Sequence, residues 1–452
     1  KLYASSNATI TEESTQGHYT IAKPDETQTY ADVLANINKR FGDYSLVANV
    51  GASIVNNKFE ELSYRGPIRE KGIPNVFNVF DLDNAKKKAR QDEWQEQTQS
   101  IFASVEVGWK SMLYLTLTGR NDWASQLANS STSSFFYPSV GLSGVISEMI
   151  QMPSFIDYMK VRGSFSSVGM PYPRNLTSPT YEYNEATQSW KPKTHYPIGD
   201  LKPERTDSWE VGLDMKLFKD FNLGLSWYLA NTFNQTFDPQ ISVSSGYTTI
   251  YLQTGYVRNT GLELSLGYGH TWNNNFRWDS NFTLSHNKNK IKELVRDYVH
   301  PETGELINKD RLDVGGLGKA RFILKEGGTL GDLYTQSDLK RDDNGMVDID
   351  PTGIVAIENN LPDIKLGSVF PKANLAWSNH FSWKGISLSA LFTARIGGIV
   401  YSATEAAMDQ YGVSERSALA RDNGGVLVNN RTLVDAQNYY TTIGSESGLP
   451  QY

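Results

Sequence analysis

The sequence predicts an all-β protein, an antiparallel transmembrane β-barrel segment of about twelve strands. Apolar and polar residues alternate with a period of two in one segment after another, which is typical of strands with two different faces. Most of these segments run 11 to 15 residues, whereas strands of soluble sheets average about 5–6 residues. The connections between them also alternate between short and long, as they do in outer-membrane barrels.

Composition excludes several other classes. The chain has 452 residues, no Cys and a net charge of −7, so it offers no disulfide framework, no thiolate zinc site and no cationic footprint for nucleic acid. No apolar run approaches the ~18 residues that a membrane-spanning helix needs. Aromatic residues reach 12% of the chain and glycine is frequent at 37. This mixture is too aromatic for disorder and favours β structure.

The strands follow from the alternation. From Trp209 to Leu217 the odd positions are apolar and the even positions are polar or glycine, and 222–229 and 261–268 repeat the pattern. Leu213, Leu225, Leu264 and Leu388 are therefore expected to face lipid, with Glu210, Glu263 and Arg395 facing the lumen. The twelve predicted strands lie near 28–41, 44–57, 97–109, 112–123, 135–147, 158–168, 206–218, 222–234, 258–271, 276–290, 371–382 and 386–397.

The connections predict an up-and-down meander. Short connections lie at 42–43, 110–111, 148–157, 219–221, 272–275 and 383–385, and long ones at 58–96, 124–134, 169–205, 235–257 and 291–370. Short turns of such barrels are periplasmic and long loops extracellular. Tryptophans cluster near strand ends, as expected for interfacial girdles, at Trp109, Trp123, Trp209, Trp272, Trp278 and Trp383. A soluble β-sandwich or β-solenoid remains the alternative, since one buried face also produces alternation.

The sequence predicts no catalytic residues, no metal site and no cofactor, so the protein is not expected to be an enzyme. Its six His residues show no HExxH pairing, and the glycine-rich segment 314–320 lacks the spacing of a phosphate-binding loop. The segment 341–350 has the composition of a calcium loop without its ligand spacing, which favours a solvated turn.

Two long connections, 169–205 and 235–257, carry aromatic residues among Asn, Gln, Ser and Thr. Such residues suit the recognition of sugar faces or peptides through ring contact and hydrogen bonds. The alternative is that they form small cores within the loops themselves. The candidate substrate-binding residues are Tyr181, Tyr183, Trp190, Tyr196, Tyr247 and Tyr251.

Several motifs between about residues 40 and 430 resemble one family, the SusC/RagA-type TonB-linked outer-membrane transporters. The resemblance depends on their combination, and they are structural features of a barrel rather than ligand sites. The motifs that carry the resemblance are LTLTGRNDW at 115–123, FYPSVG at 136–141, VRGSF at 161–165, LKPERT at 201–206, NTGLEL at 259–264, NKNKI at 287–291 and ARIGG at 394–398.

The resemblance implies a roughly 22-stranded barrel with an internal plug domain, in the outer membrane of a Gram-negative, Bacteroidetes-type cell. It further implies that the transporter imports a nutrient, for which an oligosaccharide or glycan is favoured over a peptide. The TonB complex would supply the energy, and a SusD-like surface lipoprotein would cover the barrel. We expect residues 1–452 to be part of the barrel domain, with no plug or signal peptide, and to need other segments of the same transporter. A siderophore-type receptor without a lid, or a carbohydrate-binding surface β protein, are the alternatives.

Overall fold

The computed structural model describes residues 2–3, 17–70, 76–128, 130–174, 176, 181–184, 189–192, 195–196, 201–237, 249–250, 252–272, 275–299, 304 and 306–444. In chain order its strands are β1 Leu2–Tyr3, β2 His18–Phe41, β3 Tyr44–Pro67, β4 Lys88–Trp109, β5 Leu113–Ala124, β6 Phe135–Val145, β7 Ile156–Met170, β8 Tyr181–Asn184, β9 Ser189–Pro192, β10 His195–Tyr196, β11 Glu204–Leu217, β12 Phe221–Phe237, β13 Thr249–Ile250, β14 Leu252–Trp272, β15 Phe276–Glu293, β16 Val295–Val299, β17 Leu306–Lys309, β18 Arg311–Leu317, β19 Ala320–Lys325, β20 Asp332–Leu339, β21 Ile357–Ser368, β22 Ala373–Trp383, β23 Ile386–Ile396, β24 Val426–Val428 and β25 Thr432–Val434.

Helices are short and few. They are α1 Ile146–Met149, α2 Ala403–Gln410, α3 Glu415–Asp422 and α4 Ala436–Ile443. The last three begin after Ser402, Ser414 and Asp435, whose side-chain oxygens accept a backbone N–H from the first turn and so satisfy a donor that the helix itself leaves unpaired. None of the helices in the described ranges has the length and apolar character required to cross a membrane.

One large antiparallel sheet dominates the structure. Its order is β1-β2-β3-β4-β5-β6-β7-β11-β12-β14-β15-β22-β23, so each long strand pairs with the next one along the chain. All twelve strands predicted from alternation lie in this sheet, and β1 adds a two-residue strand at its edge. The prediction of an antiparallel meander is therefore confirmed.

The strands of this sheet are staggered. A continuous row of paired residues begins beside the first short turn, at Phe41 and Tyr44, and passes through Leu213, Leu225 and Leu264. It ends at Ala394 of β23. Ala394 is eight residues away from Ile386, the residue at the short-turn end of that strand. A row that drifts along successive strands means that they tilt, as closure into a barrel requires.

The first three long strands extend about ten residues beyond their predicted ends. β2 and β3 pair without a break from Phe41–Tyr44 to His18–Pro67, and β4 continues the pairing to Lys88. The added part carries charged and amide side chains, together with the stacked rings of Phe59 and Trp94 at 5.4 Å. Outside hydrocarbon a hairpin needs no apolar face, so the alternation ends before the strands do.

The long connections are themselves folded. The 291–370 connection contains a four-stranded antiparallel sheet of β18, β19, β20 and β21. A cluster of buried side chains joins the bases of four connections, and its members include Leu127, Leu201, Val257 and Ile291. Such satellite cores hold long surface segments in place, and small cores within the loops are the alternative that the sequence left open.

Candidate functional site

The polar face of the sheet forms one continuous surface. A single row of directly paired residues on this face runs through Arg162, Gly212, Ser226, Glu263 and on to Arg395. The neighbouring row, one residue away on every strand, contains Val161, Leu213, Leu225, Leu264 and Leu284. Since successive side chains point to opposite faces, the predicted separation into polar and apolar faces is confirmed across the sheet.

The centre of the polar face is an ion-pair network around Arg162 on β7. Its Nη1 donates to Glu210 Oε1 at 2.5 Å and its Nη2 donates to Ser226 Oγ at 2.7 Å, while Asp214 Oδ2 lies 3.8 Å from Nε. The side chain reaches β12 by crossing β11 at Gly212, where an added Cβ would lie only 2.5 Å from Arg162 Nε. The missing side chain of Gly212 therefore makes room for the guanidinium.

A concavity of about 1070 Å³ lies on this face near the short turns. Its lining includes Asp214, Asn222, Arg277, Asp279 and His380, and Arg277 donates two bonds to Asp279 at 2.6 and 2.7 Å. A second one of about 610 Å³ continues the same face past Ser226 and Glu263. Together they form a polar, water-accessible passage along the sheet.

Glycines on the polar face sit beneath aromatic rings of the adjacent strand. Gly51 lies under Phe102, Gly108 under Tyr114 and Gly261 under Tyr228. A ring lying over a glycine covers backbone that would otherwise be bare. These pairs hold large side chains against the polar face of the sheet.

Substituting Gly261 by alanine is expected to cost about 1–3 kcal/mol of stability, because the new methyl group would overlap the ring of Tyr228 and force it to move. Gly267→Ala is the matched control on the same face of β14, since its Cβ would approach Asn222 Cβ at an ordinary 3.5 Å. Urea unfolding of both variants in lipid vesicles measures the difference. Equal stabilities would show that Tyr228 does not cover Gly261.

An ionic cluster holds the four-stranded sheet together. The Asp363 carboxylate on β21 is 6% exposed, and it accepts bonds from Arg311 at 2.6 and 2.8 Å, from Lys325 at 2.9 Å and from Gln336 at 2.9 Å. The hydrogen bonds from Arg311, followed by that from Lys325, hold the pKa of Asp363 well below its ordinary value. The carboxylate is therefore stabilised in its charged form.

The backbone amides of this sheet are expected to lose protection from hydrogen exchange when the pH falls below about 4, near the ordinary pKa of an aspartate. A carboxyl whose pKa is lowered on folding adds stability above its unfolded pKa, and that contribution disappears as the pH falls through the folded pKa. Asp363→Asn should remove this pH dependence and cost about 1–2 kcal/mol locally, because Arg311 and Lys325 are about one-third exposed and partly screened. Hydrogen exchange of β18–β21 measures it.

Glu358→Gln on the same strand is the control for that experiment, since Glu358 is exposed. It should leave both the protection and its pH dependence unchanged. Loss of protection at acid pH that is the same in wild type and in Asp363→Asn would contradict the assignment.

The predicted substrate-binding aromatics fall in two of the long connections. Trp190 on β9 is 68% exposed, and it pairs through its backbone with Tyr183 of β8, while Tyr181 pairs with Pro192. Tyr196 of β10 pairs in parallel with Ile250 of β13, which joins the 169–205 and 235–257 connections. The side chains of Tyr181, Tyr183 and Tyr196 are not among those described, and Tyr247 and Tyr251 lie outside the described residues. Substrate binding by this set stays a prediction.

The two segments compared above with a phosphate-binding loop and a calcium loop have structural roles. In 314–320 the chain turns between β18 and β19, and Asp313 accepts bonds from Arg321 and from the Gly315 backbone. In 341–350, Asp342 accepts the backbone N–H groups of Asn344 and Met346. The carboxylate thus closes a turn, as predicted.

The apolar face carries the predicted aromatic girdles. Trp109, Trp272, Trp278 and Trp383 lie on it at the short-turn end, and Trp123 and Trp209 lie on it at the loop end. Trp209 contacts Phe165 of the neighbouring strand with ring centroids 4.7 Å apart. Aromatic belts at both ends of an apolar band are typical of a sheet that crosses a membrane.

Comparison with known families decides the assignment. Residues 2–313 match the family model described as TonB dependent receptor-like, beta-barrel. The chain belongs to this family. It is accordingly an outer-membrane β-barrel polypeptide, and the alternative of a soluble β protein is wrong.

Curated relatives come from Formosa agariphila. TonB-dependent receptor P39 is 26% identical over 67% of this chain and 28% of its own length. TonB-dependent receptor P3 is 22% identical over 86% of this chain and 40% of its own length. The chain therefore spans well under half the length of these relatives.

Solved structures show the same fold. A chain of the RagAB peptide transporter superposes with a TM-score of 0.66 at 17% identity, covering 83% of this chain and 42% of that chain. The RagAB peptide importer in its open-open state gives a TM-score of 0.64 at 18% identity, covering 84% and 42%. The resemblance to SusC/RagA transporters in the sequence motifs is thus matched by the fold.

Proposed function

We propose that the full-length protein to which this chain belongs imports an oligosaccharide across the outer membrane with energy from the TonB complex. The observation that carries the proposal is the continuous polar face, lined by Ser, Asn and paired charges, behind an apolar face suited to lipid. A hydroxyl-rich solute can exchange hydrogen bonds with such a wall without leaving an unpaired buried group. The chain's part is to form this wall and the loops above it.

Substrate capture is assigned to the loops above the passage. The exposed indole of Trp190 offers a flat apolar face, which matches the C–H face of a sugar ring. The backbone pairing of β10 with β13 brings the two aromatic-rich connections to one place. A SusD-like surface lipoprotein would close over them as a lid.

A peptide is the second candidate substrate, and the likeness to the RagAB peptide transporter favours it. Backbone amides of a peptide would use the same donors and acceptors as sugar hydroxyls. Uptake of labelled oligosaccharides and labelled peptides by cells that produce the full-length protein separates the two. Uptake of neither, or uptake without a co-purifying lipoprotein, would support a siderophore-type receptor instead.

Trp190→Ala is expected to weaken oligosaccharide binding about tenfold, since a ring contact of this type contributes up to about 1.5 kcal/mol. Binding to the purified full-length complex is measured by titration calorimetry. Trp383→Phe, a change in an exposed indole at the short-turn end, is the control and should leave affinity unchanged. Unaltered affinity in Trp190→Ala would remove this residue from the binding site.

A further inference from the structure

The apolar face ends at a strip of positive charge on β14 and β15. Lys288 and Lys290 are exposed two positions apart on β15 and so share one face, and the exposed Lys292 follows them at the bulge where the register with β14 shifts. Arg258 of β14 lies directly opposite Lys290. These four residues form what we call the cationic strip.

No carboxylate neutralises this strip among the residues that the structure describes. Arg258 Nε donates to Asn231 Oδ1 at 2.9 Å, and its Nη2 donates to the Tyr256 hydroxyl, so both partners are neutral. The acidic residue of the same row, Asp207, lies two strands from Arg258 and is already paired with Arg205 at 2.8 Å. The strip therefore carries net positive charge.

Placing Arg258 directly across from Lys290 has an energetic cost, since like charges facing each other on adjacent strands destabilise a sheet. An anion bound between them would reverse the sign of that interaction. Lysine and arginine are also the side chains that bind phosphate groups most strongly, through charge-assisted hydrogen bonds.

The level of the strip along the strands indicates which anion it meets. Lys288 is in the same cross-strand row as Trp209 and Phe165, the aromatic pair of the loop-end girdle. Leu284, four residues toward the short turn, is in the row of Leu264 and Leu225. The strip thus begins at the girdle and continues just beyond the apolar band, on the face turned toward lipid, at the height of the outer-leaflet headgroups.

We propose that the cationic strip binds phosphate-bearing headgroups of outer-leaflet lipids. Such binding fixes the height of β14 and β15 in the membrane and places annular lipid beside the base of the 235–257 and 291–370 connections. Basic clusters next to a membrane-spanning segment attract anionic headgroups within a Debye length. The strip is separate from the polar passage, since it lies on the opposite face of the same strands.

The test uses the full-length protein in nanodiscs of phosphatidylcholine with or without added lipid A, with retained lipid counted by native mass spectrometry after delipidation. The triple variant Lys288→Gln, Lys290→Gln, Lys292→Gln should retain at least about tenfold less lipid A than wild type, with phosphatidylcholine retention unchanged. Retention by wild type should also fall as salt is raised.

A matched control removes three lysines from the same side of the membrane but far from the apolar band: Lys86→Gln, Lys87→Gln, Lys88→Gln. This control should retain lipid A as wild type does. Heat-modifiable migration of every variant confirms that the barrel is folded. The proposal is overturned if the β15 variant, folded, keeps wild-type lipid A, or if both triple variants lose it equally. It is also overturned if the β15 variant loses only a co-purifying lipoprotein.

Discussion

Replacing Leu264 by arginine is expected to destabilise the barrel by about 2–4 kcal/mol, the cost of a cation on the lipid face near the bilayer midplane. Leu264 lies in the apolar row between Leu225 and Leu284, so an arginine there has no aqueous surroundings within reach. The free energy of unfolding of the full-length protein, measured by urea titration in lipid vesicles, reports the effect.

Glu263→Arg is the matched substitution one residue earlier on β14. Glu263 faces the polar passage beside Ser226 and Ser285, where water and hydrogen-bonding groups surround a new guanidinium. Its cost should be much smaller than that of Leu264→Arg. If the two substitutions destabilised the protein equally, the assignment of the two faces would be wrong.

Residues 1–452 expressed alone are expected to give no folded, heat-modifiable monomer in detergent. In the described ranges β23 pairs on one side only, with β22, and β2 beyond Thr20 pairs only with β3. Each unpaired backbone N–H or C=O in hydrocarbon costs several kcal/mol, so an open sheet cannot remain there. Electrophoresis of heated and unheated samples in detergent provides the measurement.

The full-length protein, in which further strands can pair with β2 and β23, is the positive control and should migrate as a heat-modifiable barrel. A folded monomer from residues 1–452 alone would contradict the expectation that other segments complete the sheet.

The sequence predicts the membrane-crossing sheet well because one physical rule governs it. Each strand between the girdles must place apolar residues on one face and polar residues on the other, so the alternation alone places Leu213, Leu225 and Leu264 on the lipid face. The short turns are the brief interruptions between successive alternating segments, as between Leu217 and Phe221, which pair across the β11–β12 turn.

Beyond the membrane that rule no longer applies, and prediction from sequence fails there. The outer parts of β2, β3 and β4 pair in water through backbone hydrogen bonds. Their side chains, such as those of Glu60 and Glu93, do not alternate between apolar and polar, so the sequence pattern does not indicate strands there. The four-stranded sheet depends on contacts such as Arg311 with Asp363, which are 52 residues apart in the chain. Such long-range ion pairs have no local pattern.

The cationic strip was also missed. Lys288 and Lys290 belong to the motif at 287–291, which contributes to the family resemblance, and their common face is visible as alternation, whereas Lys292 follows the motif. What the sequence could not supply is the register that sets Arg258 across from Lys290 and aligns Lys288 with the aromatic girdle. Register is a property of the pairing and decides which face each side chain occupies.

The central claim is that one face of this sheet meets lipid and the other meets water, and single spin labels along β14 test it most directly. Residues 1–452 contain no cysteine, so, once any cysteine elsewhere in the full-length protein is replaced by serine, labels can be attached one at a time to cysteines at 262–266 in vesicles. Collision rates with oxygen, which concentrates in lipid, should be high at Leu262, Leu264 and Leu266, and rates with a water-soluble nickel chelate should be high at Glu263 and Ser265. Equal accessibility at odd and even positions, or alternation of the opposite phase, would contradict the account.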